Sequence, residues 1–148
     1  MRLRQNFSFA ATFTQDIKNV WKTVELNKRP TLLDTPSGEI LAMVEAPQAW
    51  SDLAVSIVSS RYFAKSGVKK KGHEDSVKQL LKRVMGFIEK TALKNSKYFL
   101  QPQHETKGLI DDLTFLVVHQ MGSFNSPVWF NCGLWEQYQL SANGENFR

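Results

Sequence analysis

Residues 117–135, VVHQMGSFNSPVWFNCGLW, constrain the fold more than any other stretch of the 148-residue chain. An apolar helical run ends at Gly122-Ser123, and Ser126-Pro127 breaks the chain just beyond it. A proline ring clashes with the backbone of the residue before it and pushes that residue toward extended geometry. Val128-Trp129-Phe130 then reads as a short buried strand, closed by Asn131 and Gly133. The Ser126 hydroxyl is expected at the mouth of that strand, held on one side and open on the other. Read locally, this is either a turn that stabilises only itself or a ligand contact.

The chain before it is mainly helical. Asp16, Ile17, Val20, Trp21 and Val24 have helical spacing, and Arg29-Pro30 would end such a helix. Residues 31–46 read as a β-hairpin, with Thr31-Leu32-Leu33 and Ile40-Leu41-Ala42-Met43-Val44 flanking the turn Thr35-Pro36-Ser37-Gly38. A hairpin is not stable alone, so it must pack on something. Pro47 opens a helix whose apolar face is Trp50, Leu53, Ala54, Ile57, Val58 and Tyr62, with Gly67 as its left-handed cap. A second helix is expected from Asp75 to Leu93, capped by Asp75 or Ser76, with Lys78, Lys82, Arg83 and Lys90 largely off its buried face. Tyr98-Phe99-Leu100 is a short connector stopped by Pro102, and a third helix covers Glu105 to Met121. Leu134–Tyr138 suits one helical turn, and 141–146 a polar loop.

Candidate chemistry is sparse. Asp111 and Asp112 are adjacent on a helix, point in different directions and form no acid–base dyad. His73 and His119 have no second histidine at ligand spacing, so no metal site is expected. The single cysteine, Cys132, rules out an internal disulfide, fits a reducing compartment and has no local histidine to activate it. No glycine-rich phosphate loop is present, and no apolar run is long enough to span a membrane. The formal charge of +5 is uneven: residues 65–97 hold ten Lys/Arg and three Asp/Glu, a local +7 that leaves −2 elsewhere. Such a segment, with its Lys69-Lys70-Lys71 loop, is either a phosphate-binding surface or a solvated face.

FNSPVWFNCG resembles the SPVWFN segment of adenosylcobalamin-dependent, class II ribonucleotide reductases. Three further pieces fit that family in order. WSDLAVSIVSSRYFAKSGV (50–68) is similar to its WSQ…KYF…GVP stretch, with Lys69 where the family has proline. EDSVKQLLKRV (74–84) is similar to its ESSV…RV stretch, and 111–131 runs into GLWEQYQLSANGENF. The resemblance covers residues 31–148 and leaves 1–30 as a variable N-terminal extension. It implies an α+β, mainly helical N-terminal module that leads into the first strand of a ten-stranded α/β barrel completed outside this chain. It implies a ribonucleoside-diphosphate reductase with adenosylcobalamin as cofactor, bound by the full enzyme rather than by this chain. The radical and redox cysteines of the family come after SPVWFN, so this chain alone is expected to be inactive. Its partners would be the remainder of the reductase, the ribonucleotide substrate and a thioredoxin-type reductant, all cytoplasmic.

Of the family's functional residues, one carries over: Ser126, as a contact to the substrate phosphate. Asn125 and the backbone after Pro127 are candidate helpers. Cys132 matches no catalytic cysteine and reads as a core thiol. The competing class is a free-standing basic module for nucleic acid or a protein partner. It draws on residues 65–97 and leaves SPVWFN without a role.

Overall fold

The computed structural model describes residues 8–141. The fold is α+β, a two-stranded antiparallel hairpin packed among helices. Strands β1 (Leu26–Thr35) and β2 (Gly38–Pro47) pair from Leu26↔Pro47 to Thr35↔Gly38, so the hairpin is longer than expected. Arg29-Pro30 does not end a helix but lies inside β1, with Pro30 opposite Met43. In a two-stranded sheet each strand is an edge, where the missing proline N–H costs no ladder bond. Leu33, Val44 and Ala46 face the core, while Leu32, Leu41 and Met43 face out. The helix expected over Asp16–Val24 shrinks to a 3-10 turn at Val20–Lys22. Asn19, Thr23 and the β-branched Val20 and Val24 are weak helix formers, and the chain must straighten to enter β1.

Helix α1 (Asp52–Tyr62) starts after Pro47, because Ser51 caps it by accepting from the Ala54 N–H at 3.1 Å. It ends at Phe63, which is extended; Gly67 has φ +74° but stands in a later turn and does not cap the helix. Helix α2 (Val77–Lys94) is capped by Ser76, whose oxygen accepts from the Lys78 N–H and whose hydroxyl donates to Glu45 of β2 at 2.8 Å. Helix α3 (Pro102–Val118) begins at the proline rather than at Glu105, since a first-turn proline loses no needed donor. Trp50 crosses the core and donates its indole N–H to the Val118 carbonyl at 2.8 Å. Around it, Val44, Val55, Val77, Leu80, Leu81, Val84, Val117 and Trp129 form the main core.

Two α3 carboxylates moor the N-terminal arm. Glu105 accepts from the Phe9 N–H, and Asp112 accepts from the N–H groups of Thr12, Phe13 and Thr14 and from the Thr14 hydroxyl. Asp111 pairs instead with Lys107, so the two aspartates do separate work.

The largest correction concerns 126–131. Val128-Trp129-Phe130 is not a strand; Ser126–Asn131 forms helix α4, and Leu134–Tyr138 forms α5 as expected. Asn125, not Ser126, is the extended residue (φ −71°, ψ 160°), and Pro127 occupies the first turn, where helices accept it. Three consecutive apolar residues cannot distinguish a strand from a buried helical turn. The polar residues 142–146 lie outside the described residues.

Candidate functional site

Ser126 is exposed at the start of α4. Its oxygen lies 3.3 Å from the Tyr62 hydroxyl at the C-terminal end of α1. The backbone after Pro127 is not free to help, as the Val128 and Trp129 N–H groups turn back to the Asn125 carbonyl at 3.1 and 3.5 Å. Asn125 serves α4 through that carbonyl; its side chain makes no capping bond. The serine singled out from the sequence is therefore accessible, but its neighbours are side chains rather than a row of amides.

What seats α4 is a buried ion pair. Arg83 and Glu74 have side chains only 1% and 0% exposed. The Arg83 Nε donates to Glu74 Oε1 at 2.9 Å and one Nη to Oε2 at 3.2 Å. The same Nη donates to the Tyr62 carbonyl at 3.0 Å. The other Nη donates to the carbonyls of Trp129 (3.2 Å) and Cys132 (2.8 Å) in α4 and its cap. A guanidinium has five N–H donors, and all five are used. Glu74 is completed by the Ala64 N–H and the Tyr138 hydroxyl, both at 2.8 Å. One guanidinium thus ties together the end of α1, helix α2 and helix α4, while its carboxylate partner gathers in α5. Helical periodicity hides this pair, because it places Arg83 off the buried face. Both residues lie in the EDSVKQLLKRV stretch, but Asp75, Lys78 and Lys82 carry charge there as well, so nothing local singled the pair out.

Aromatic packing completes the seat. The Tyr62 ring stacks on Trp129 at 6.0 Å and tilts against Phe130 at 5.4 Å. The Trp129 indole donates to the Phe124 carbonyl at 2.8 Å. Gly133 comes next with φ +76°, and a Cβ there would lie 2.1 Å from the Arg83 carbonyl oxygen, so only glycine fits. Burial pushes the Tyr138 hydroxyl far above its ordinary value, and the Glu74 charge adds to that. Burial likewise raises Cys132, against the opposing pull of Arg83. A raised thiol stays protonated and unreactive, in keeping with a core role.

Two cavities flank Tyr62. One of about 200 Å³ is bordered by Arg61, Lys65, Ser66, Phe130 and Leu140. The other, about 490 Å³, is mostly apolar and bordered by Trp50, Ile57, Leu80, Met121 and Trp129. The basic segment loses strength in three dimensions. Arg83 is buried and neutralised, Lys71 pairs with Asp75, and Lys78 lies over the Trp21 ring at 5.5 Å. Among the described residues, no helix is long and apolar enough to cross a membrane.

A family model for class II vitamin B12-dependent ribonucleotide reductases matches residues 27–120. Curated relatives carry the same description. The vitamin B12-dependent ribonucleotide reductase of Rhodopirellula baltica is 35% identical over 144 residues, covering 95% of this chain and 14% of the relative. That of Streptomyces coelicolor is 40% identical over 99 residues, covering 67% of this chain and 10% of the relative. That of Agrobacterium fabrum is 23% identical over 168 residues, covering 90% and 13%. The chain spans about a seventh or less of the length of these relatives.

Proposed function

This chain belongs to the class II, vitamin B12-dependent ribonucleotide reductase family, and we propose that it is the N-terminal portion of a ribonucleoside-diphosphate reductase that uses adenosylcobalamin. Residues 31–148 would form the reductase N-terminal domain, with 1–30 as a variable extension and the barrel beginning beyond. Its part would be to bind the substrate phosphate through Ser126 and to support the barrel. The reaction would be thiol-dependent, with a thioredoxin-type reductant, in the cytoplasm. The observation that carries the substrate assignment is the Ser126 hydroxyl, exposed at the start of a helix whose position is fixed by buried hydrogen bonds.

The residues present do not fit the cofactor. The larger cavity, about 490 Å³ and lined chiefly by aliphatic and aromatic side chains, is of a size for drug-like ligands. A corrin with its nucleotide loop and adenosyl group is bulkier. In this reading cobalamin is held by the rest of the reductase, and the radical and redox steps lie there too, as the family's cysteines follow SPVWFN. What this chain's residues do is bind and orient. A serine hydroxyl donating to a charged phosphate oxygen is worth roughly 1.5–3 kcal/mol.

The test is Ser126→Ala in the assembled reductase. The substitution keeps the backbone and Cβ at an exposed position, so the melting temperature should hold. Catalytic efficiency should fall about tenfold or more. Unchanged kinetics, or a collapsed fold, would make Ser126 a structural turn residue.

A further inference from the structure

We infer that Tyr62 is a positioning residue for the Ser126 hydroxyl: it donates to the serine oxygen and so turns the serine proton outward, toward the anionic ligand. This rests on the reading of Ser126 as a phosphate contact. The two oxygens are 3.3 Å apart. A phenol is a stronger hydrogen-bond donor than an aliphatic alcohol. The favoured polarity is therefore Tyr62 O–H to Ser126 Oγ, which leaves the serine O–H to donate elsewhere. Such a chain of donors strengthens its outer link. At 3.3 Å the pair is longer than the usual O–H···O bond, so the contact has room to tighten.

The phenol is well held for this task. Its ring packs against Trp129 and Phe130, and its backbone carbonyl accepts from Arg83. The same guanidinium holds the α4 carbonyls of Trp129 and Cys132. The elements that carry the two hydroxyls are thus tied to one buried group, although the residues are 64 apart in sequence. Tyr62 also borders both cavities; Arg61, Lys65 and Asp34 line the smaller one, and Ser126 lines neither.

The test is a double-mutant cycle in the assembled reductase. Binding of cytidine diphosphate is measured by calorimetry without cobalamin, alongside KM and kcat. Tyr62→Phe keeps the ring contacts and removes only the hydroxyl. It should weaken binding about three- to tenfold, as the loss of one hydrogen bond does. KM should rise with it, while kcat and melting temperature stay near parental values. In a Ser126→Ala background Tyr62→Phe should have no further effect. Parental affinity in Tyr62→Phe, with Ser126→Ala impaired, overturns the positioning role alone. An equal loss from Tyr62→Phe in both backgrounds also overturns it, because Tyr62 would then act independently of Ser126. If the parent does not bind the nucleotide, or Ser126→Ala binds as the parent does, the phosphate reading falls and takes the inference with it.

Discussion

Glu74→Ala should be among the most damaging single substitutions in this chain. Glu74 accepts four hydrogen bonds: two from Arg83, one from the Ala64 N–H and one from the Tyr138 hydroxyl. Its removal leaves a buried guanidinium with three carbonyl partners but no counter-charge, and two further donors with no acceptor. Breaking a buried pair by deleting one member costs about 3–5 kcal/mol. Against a total stability of about 5–15 kcal/mol, that is a large fraction. The control is Asp52→Ala. Asp52 pairs with Arg29 at 2.9 Å, but its side chain is 93% exposed, and such pairs are worth about 1 kcal/mol or less. Urea unfolding of both variants, with the slope checked for constancy, reads the difference. Replacing both partners (Glu74→Met with Arg83→Met) should not restore stability. Apolar swaps can rescue an isolated pair, but here the carbonyls of Tyr62, Trp129 and Cys132 would lose their donors. Equal costs for Glu74→Ala and Asp52→Ala, or full recovery in the double variant, would refute this account.

Gly133→Ala combines a positive φ with backbone overlap against Arg83, and should destabilise by about 1–3 kcal/mol or more in thermal unfolding. Glu105 provides a pH-dependent mooring. Burial raises its pKa, but N–H donors from Gln101 and Phe9 outweigh that and hold it below its ordinary 4.5. A carboxyl lowered in the folded state stabilises above the unfolded value and loses that contribution as pH falls through the folded one. Exchange protection at the Phe9 and Gln101 amides should accordingly fade below about pH 4.5, and Glu105→Gln should flatten the dependence. Incubated alone with adenosylcobalamin, a ribonucleotide and a dithiol, the chain should yield no deoxyribonucleotide by chromatography.

The elements legible in the sequence were those whose cause is local. Residues 77–94 carry an apolar stripe over five turns with a serine cap at their head, and 40–44 are a continuous apolar run beside a Pro-Ser-Gly turn. Boundaries failed where a single residue admits two uses. Pro30 stops a helix but also suits an edge strand, and Pro102 stops a connector but also starts α3. The 126–131 segment failed for a different reason. A six-residue helix has too few internal bonds to declare itself. Its conformation comes from Arg83, Phe124 and Tyr62, which local pattern cannot supply.

The candidate site was less legible than the fold. Read locally, serine before proline at a break in an apolar run left a self-stabilising turn and a ligand contact both open, and only the family resemblance singled out Ser126. Arg83 looked like one more solvated base among Lys78, Lys82 and Lys90, since on a helical wheel it flanks the stripe of Leu80, Leu81 and Val84. Burial of a guanidinium is tolerable only when a carboxylate and enough carbonyls converge on it, and these come from residues 62, 74, 129 and 132. The helix that bears Ser126 therefore takes its position from a residue 43 places earlier, counted from Arg83 to Ser126. A substitution at Arg83 should then disturb the presentation of Ser126 as well as stability, whereas Trp50→Phe, which removes a core hydrogen bond to Val118 and part of a buried ring, should lower stability and leave nucleotide affinity intact in the folded fraction.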